Sequence, residues 1–196
     1  MEDGILVAGL GNPGPEHAGT RHNIGFGVVE ELADRAGAVG WQGKFTAEMT
    51  RCRIDDRPMV LIKPMTYMNL SGRSVARAAG FFRFPVESIL VVHDDLDLDF
   101  GVVRVKKGGG TGGHKGLASC KQLLGSGDFS RVRVGIGRPT HGNATGFVLE
   151  KFSSDESAVL TDVIAKAADA VETAIRHGVV RAMNTFNKRG GETDDS

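Results

Sequence analysis

The sequence predicts a single α/β domain built on a mostly parallel or mixed sheet, and three observations carry that expectation. Short apolar runs of strand length, Ile5–Leu10, Ile89–Val92 and Val132–Ile136, alternate with stretches of helical periodicity. No linker-like break or internal repeat interrupts that alternation. The chain has 196 residues, 40% of them apolar, which is enough for one substantial core. The domain is expected over residues 1–190, with 191–196 as a disordered tail.

The elements follow in order. Ile5–Leu10 is an apolar run that reads as a buried strand, and a polar loop from Gly11 to Asn23 follows it. Ile24, Val28, Leu32 and Ala36 recur at helical spacing, with Gly37 as the stop. Lys44–Ile54 and Met59–Ile62 read as a strand pair around an Asp55-Asp56 turn. Val75, Ala79 and Phe82 mark a second helix, and Ile89–Val92 and Val102–Lys106 two further strands. After a glycine-rich stretch come a short helix near Leu117–Leu124 and a strand over Val132–Ile136. Leu160, Ile164, Ala167, Val171 and Ile175 give a long amphipathic helix, and Val179–Phe186 a shorter one.

The totals narrow the class. No apolar run reaches membrane-spanning length, and the opening MEDGILV is not a secretory signal. Cys52 and Cys120 are far apart and have no metal-ligand neighbours, so a reduced, cytoplasmic protein is expected. Net charge is zero, from 24 Lys and Arg against 24 Asp and Glu. Five of those acids (Glu2, Asp3, Glu192, Asp194 and Asp195) lie at the extreme ends, leaving 24 basic against 19 acidic residues between them. Four more crowd between Asp94 and Asp99, so the remaining surface is basic enough for phosphate contacts.

Gly9-Leu-Gly11-Asn-Pro-Gly14 is a literal GxGxxG behind a strand. A dinucleotide site needs a helix that opens within the motif. Here Pro13 and Pro15 intervene and helical periodicity begins only at Ile24, so a nucleotide cofactor is the weaker reading. The loop instead gathers Asn12, His17, Arg21, His22 and Asn23 where open α/β sheets place ligands. His22 can accept a proton from water near neutral pH, or simply cap the following helix. His93-Asp94-Asp95 ends another buried strand, and a carboxylate there can orient a histidine. The same acids can hold a divalent cation or form a solvated loop.

No GxSxG elbow or GxxxxGK[ST] loop occurs, and neither cysteine has a helper, so a hydrolase of this sequence would activate water. Lys106-Lys107-Gly-Gly-Gly-Thr-Gly-Gly-His114-Lys115 places five glycines in six positions between lysines, a candidate anion nest or else a mobile connection. In Lys63-Pro-Met-Thr-Tyr67-Met68-Asn69-Leu-Ser-Gly72, Tyr67 can stack on a base and Asn69 can read a peptide unit. A core tyrosine and a helix-starting asparagine fit the same residues.

Taken together, GLGNPG with TRHNIGF, KPMTYMNLSG, ILVVHDDLDL, KKGGGTGGHKGL and RVRVGIGRP with GFVL resemble the bacterial peptidyl-tRNA hydrolase family, in order from Leu6 to Leu149. The resemblance implies a monomeric enzyme with a twisted mixed sheet surrounded by helices, no metal or other cofactor, and a C-terminal lid formed by the final helices. It implies His22 as general base, Asp94 as its orienting partner and Asn12 as the residue that separates blocked from free aminoacyl esters. Asn69 then binds the peptide and tRNA end, Tyr67 and Met68 line the same cleft, and Lys106 with Arg133 clamps a tRNA phosphate. The expected partner is therefore peptidyl-tRNA, through its acceptor end and 5′ phosphate region. Two positions depart from the family. Lys115 follows His114 where the family usually has asparagine, and His17 stands where it often has tyrosine. The rival from another class is a noncatalytic RNA-binding relative acting in intron splicing. It keeps the basic cleft but has no need of the His22, Asp94, Asn12 and Asn69 set, and the short start shows no transit peptide.

Overall fold

The computed structural model describes residues 4–188, so the expected tail lies outside the described residues. In chain order the elements are β1 (Ile5–Gly9), α1 (Ile24–Arg35), β2 (Gln42–Lys44), β3 (Ala47–Ile54), β4 (Arg57–Pro64), α2 (Ser71–Phe82), β5 (Ile89–Asp95), β6 (Val103–Lys107), α3 (Lys115–Leu124), β7 (Ser130–Gly135), α4 (Ala144–Val148), α5 (Ser154–His177) and α6 (Val179–Phe186). The strands form one sheet in the order β2-β3-β4-β1-β5-β7-β6. At its centre β4, β1, β5 and β7 pair in parallel. Antiparallel pairing adds β3 and β2 at one edge and β6 at the other, so only β3 and β6 run against the rest.

Two stretches differ from the sequence expectation. The strand expected from Lys44 to Ile54 is broken: Phe45 and Thr46 take left-handed φ values of 60° and 54°, and the chain reverses there. Neither residue is one of the glycines or asparagines that usually mark such a turn, which is why the reversal is hidden. The short helix α4 was not expected either, and five residues are too few to show helical periodicity.

Alternation along the strands sorts the core into two halves. Ile5 and Val7 of β1 join Leu61, Val92, Val132 and Val134 beneath α1, α5 and α6. Leu6 and Ala8 join Val60, Ile62 and Val91 beneath α2 and α3. Helices thus cover both faces of the sheet, and α5 and α6 bury their apolar stripes in the first half.

Bare glycine backbone sets two of the helix approaches. A Cβ at Gly25, in the first turn of α1, would lie 2.6 Å from the backbone of Leu10 and from the Val92 carbonyl oxygen. A Cβ at Gly72 in α2 would lie 2.2 Å from the Ser119 carbonyl oxygen in α3. Backbone cannot step aside as a side chain can. Gly25→Ala is therefore expected to cost about 1–3 kcal/mol in chemical denaturation. Gly80→Ala, exposed within α2 with nothing near its Cβ, is expected to gain up to about 1 kcal/mol. Equal effects of the two would remove the packing explanation.

Candidate active site

The parallel strands deliver the predicted residues to one edge of the sheet, at their carboxyl ends. The segment after β1 carries Asn12, His17 and His22, that after β4 carries Tyr67, Met68 and Asn69, and β5 itself ends in Asp94 and Asp95. The glycines behind β1 serve this convergence rather than a pyrophosphate. A Cβ at Gly9 would lie 2.1 Å from the Gly25 carbonyl oxygen, and one at Gly11 would strike the Phe26 ring. Gly14 takes a φ of 107° before a 3-10 turn, Pro15–His17, and a second such turn, Arg21–Asn23, leads into α1.

Asp94 is the hub. Its side chain is 2% exposed, and one oxygen, Oδ1, lies 2.8 Å from His22 Nδ1 and 2.9 Å from His114 Nε2. Burial alone would push this carboxyl up. Hydrogen bonds from His114 and His22 outweigh that cost and hold it well below the usual carboxylate range. An ionised carboxylate only accepts, so both imidazoles must donate to it.

That requirement fixes the tautomers. His114 caps α3, its Nδ1 accepting from the backbone N–H groups of Gly116 at 3.1 Å and Leu117 at 3.3 Å. Both of its nitrogens are therefore committed. His93 donates from Nδ1 to the Asp94 carbonyl oxygen at 2.7 Å, and its Nε2 is buried without a partner. Burial pushes His93 down to about 3. All three rings border a cleft of about 370 Å³, but only His22 has a donating Nδ1 and an Nε2 that is neither committed to a backbone group nor sealed in the interior.

Asn12 is held from two directions. Its backbone N–H donates to Asn23 Oδ1 at 2.8 Å, and Asn23 Nδ2 donates back to its carbonyl oxygen at 2.9 Å. The Asn12 side-chain oxygen accepts from the Met68 backbone N–H at 2.7 Å. What Asn12 can offer a ligand is therefore its Nδ2 donor. Met68 is buried beside Gly116, where a Cβ would meet its sulfur at 2.5 Å and the His114 ring at 3.1 Å. Tyr67, 61% exposed, and Asn69, also exposed, flank it at the surface. Tyr67 is therefore not the core residue that one reading of the sequence allowed.

Two residues sit differently from the expectation. His17 does not join the histidine cluster; its Nε2 lies 3.7 Å from Glu16 Oε1 in the Pro15–His17 turn. Arg133 lines the cleft with Lys106 but already donates from Nε to Asp95 Oδ2 at 2.7 Å.

The glycine loop is ordered by a residue the sequence reading passed over. Arg131 is buried, and its guanidinium donates to the carbonyl oxygens of Gly109, Gly110 and Gly127, at 2.7 Å for Gly109 and 3.2 Å for Gly127. Only its alternation with Arg133 along β7 hinted at a specific role. Lys106 and Lys115 both line the cleft. Arg21, gathered with the loop in sequence but given no role there, is structural. Its guanidinium binds the Lys151 carbonyl oxygen and Glu156 Oε2, the latter at 2.5 Å, and lies 4.3 Å from the Phe147 ring centre. It thereby ties down α4, whose Ala144, Thr145 and Val148 border the cleft; α5 and α6, expected as the lid, are core helices.

His22, Asp94 and His114 bring three ligand-type atoms within 4.8 Å of one another. A metal on His114 Nε2, however, would displace the proton that its Nδ1 capping role requires there. Thiol chemistry is equally disfavoured, since burial pushes Cys120 up to about 12 and Cys52 up to about 11.

A family model described as peptidyl-tRNA hydrolase matches residues 6–194. The peptidyl-tRNA hydrolase of Mycolicibacterium gilvum is 50% identical over 190 residues, 95% of this chain and 98% of that one. The one from Geotalea daltonii is 46% identical over 184 residues, covering 94% and 96%. A crystal structure of peptidyl-tRNA hydrolase from Acinetobacter baumannii superposes with a TM-score of 0.87 at 41% identity, over 95% of this chain and 96% of that one. With this fold, this edge-of-sheet cleft and that likeness over nearly its full length, the chain belongs to the peptidyl-tRNA hydrolase family.

Proposed function

We propose that this protein hydrolyses the ester joining a peptide to tRNA, with water as nucleophile and His22 as its general base. One observation supports the assignment: three imidazoles cluster at Asp94 beside one cleft, and only His22 has a ring nitrogen that is neither committed to a cap nor buried. Asp94 holds the ring in the tautomer that leaves Nε2 free, and its charge stabilises the imidazolium formed when water gives up its proton. Attack on the ester carbonyl then breaks the bond to the ribose oxygen, which takes that proton from the imidazolium and leaves as the hydroxyl. The chemistry needs no acyl-enzyme, and among the described residues no serine or thiol is set up to form one.

Selectivity follows from Asn12. With its side-chain oxygen committed to Met68, it presents a donor to the substrate. A donor suits the acyl carbonyl carried by a blocked α-nitrogen, and on a free aminoacyl ester meets only an ammonium, which is itself a donor and cannot accept from it. Met68, Tyr67 and Asn69 form the wall beside it, His114 and Lys115 border the opposite side, and Lys106 with Arg133 receives the tRNA phosphate. His17 contributes only from the outer loop. Its place is the cytoplasm, where it works as a monomer to recycle tRNA from prematurely released peptidyl-tRNA.

His22→Ala is expected to slow release of N-acetyl-aminoacyl groups from tRNA by about 10²–10⁴-fold in single-turnover assays while the fold persists; turnover near that of the parent protein would refute the base assignment. Asn12→Asp keeps the acceptor for Met68 but replaces the donor. The ratio of kcat/KM for blocked over free aminoacyl-tRNA should then fall by about ten- to a hundredfold, and an unchanged ratio would count against the role given to Asn12.

Folding lowers the pKa of His93, so the unfolded chain takes up that proton first. Its stabilising contribution is full above about pH 6.5 and declines as pH falls toward about 3. Asp94 adds little slope above about pH 5, where its carboxyl is ionised in both states, and the same slope in parent and variant below that. Between pH 6.5 and 4.5 the unfolding free energy should therefore drop more steeply in the parent than in His93→Gln, by up to about 1.4 kcal/mol per pH unit. Parallel curves would show that His93 is not the group responsible.

A further inference from the structure

The two helical layers carry opposite charge. On one side of the sheet, α1, α5 and α6 hold eight acidic residues against four Lys and Arg. On the other, α2 and α3 hold Arg73, Arg77, Lys115 and Lys121 and no acid at all. Arg104 and Lys106 of β6 stand opposite Arg133 and Arg131 of β7 in register. Val132 and Val134 point into the α1-α5-α6 half of the core, so these basic side chains project from the α2-α3 side. The zero net charge of the chain thus conceals a dipole perpendicular to the sheet.

The geometry of α2 gives that face a direction. It begins just past Met68 and Asn69, at the carboxyl edge of the sheet that carries the site, and runs away from that edge for 12 residues, about 18 Å. Arg73 and Arg77 are exposed and four residues apart, so they share one face about 6 Å apart along the axis. Neither forms an ion pair among the described residues. Gly72 lets α3 lie against the start of this helix, and Lys121 is exposed on α3.

We propose that the outer surface of α2 and α3 is a second RNA contact, which takes the sugar-phosphate backbone of the tRNA beyond its acceptor end, apart from the Lys106–Arg133 pair in the cleft. The proposal rests on the reading that the ester is carried by tRNA. An RNA backbone is the occupant that matches a row of unpaired cations leading out of the site. The acidic opposite layer repels the same polyanion and so orients it before contact. Nothing in this surface reads bases, so it adds affinity without sequence preference.

The test is binding of uncharged, fluorescently labelled tRNA to the full-length protein, followed by anisotropy from 50 to 200 mM KCl. Arg73→Glu combined with Arg77→Glu is expected to raise Kd about tenfold or more, and to flatten the slope of log K against log salt by about two. Lys166→Glu combined with Arg181→Glu makes the same change in net charge on the acidic side, and should shift Kd less than about threefold. Arg73→Ala with Arg77→Ala, good helix formers, should reproduce the flattened slope with an unchanged melting temperature. Equal weakening by the two reversals would show a mere effect of net charge, and a wild-type slope in the alanine pair would show no contact; either overturns the proposal. Because the readout is binding, a protein that binds tRNA in this way but cuts no ester would sink the hydrolase reading alone.

Discussion

One carboxylate oxygen organises the centre of this molecule. Removing a carboxylate from water costs several kcal/mol, and it stays charged only where well-placed donors replace the lost hydration. Asp94 finds them in two imidazoles that meet at the same Oδ1. The second of these, His114, is no spare catalyst. Its other nitrogen closes the first turn of α3, so the charge of the hub is tied to the start of a helix. His93, next to Asp94 in sequence, is kept neutral by the same burial. The division of labour among three chemically identical rings follows from what each outer nitrogen touches.

Bringing these groups together depends on how closely α1 and α3 approach the sheet. Gly9 and Gly25 remove side chains from the contact between β1 and α1, and Gly116 does so where α3 meets Met68 and Leu10. Glycines that imitate a dinucleotide fingerprint in sequence therefore act as spacers that set the separation between a histidine on one segment and an aspartate on another.

Much of this was legible beforehand. The apolar runs located β1, β5 and β7, and the helical periodicities located α1, α2, α3, α5 and α6, because a period in burial leaves a period in sequence. Candidate residues at strand ends could be listed, and the family likeness grouped them. What the sequence could not supply was direction. The commitment of Asn12 Oδ1 to a backbone N–H, the grip of Arg131 on the glycine loop and the pairing of Arg133 with Asp95 are long-range hydrogen bonds. No local pattern encodes them. The reversal at Phe45-Thr46 was hidden for the opposite reason, since its residues are atypical for the conformation they adopt. Charge segregation was legible only as a surplus, and became a directed feature once the helices were assigned to sides.

Arg21 and His22 are neighbours in one short turn, and they are secured toward opposite parts of the chain. The guanidinium is sandwiched among Phe147, the Lys151 carbonyl and Glu156, while the imidazole is bound to the end of β5. A turn pinned at consecutive residues has little freedom to wander. The ring is thus already oriented when a ligand arrives, and no conformational entropy is forfeited at that moment to assemble it.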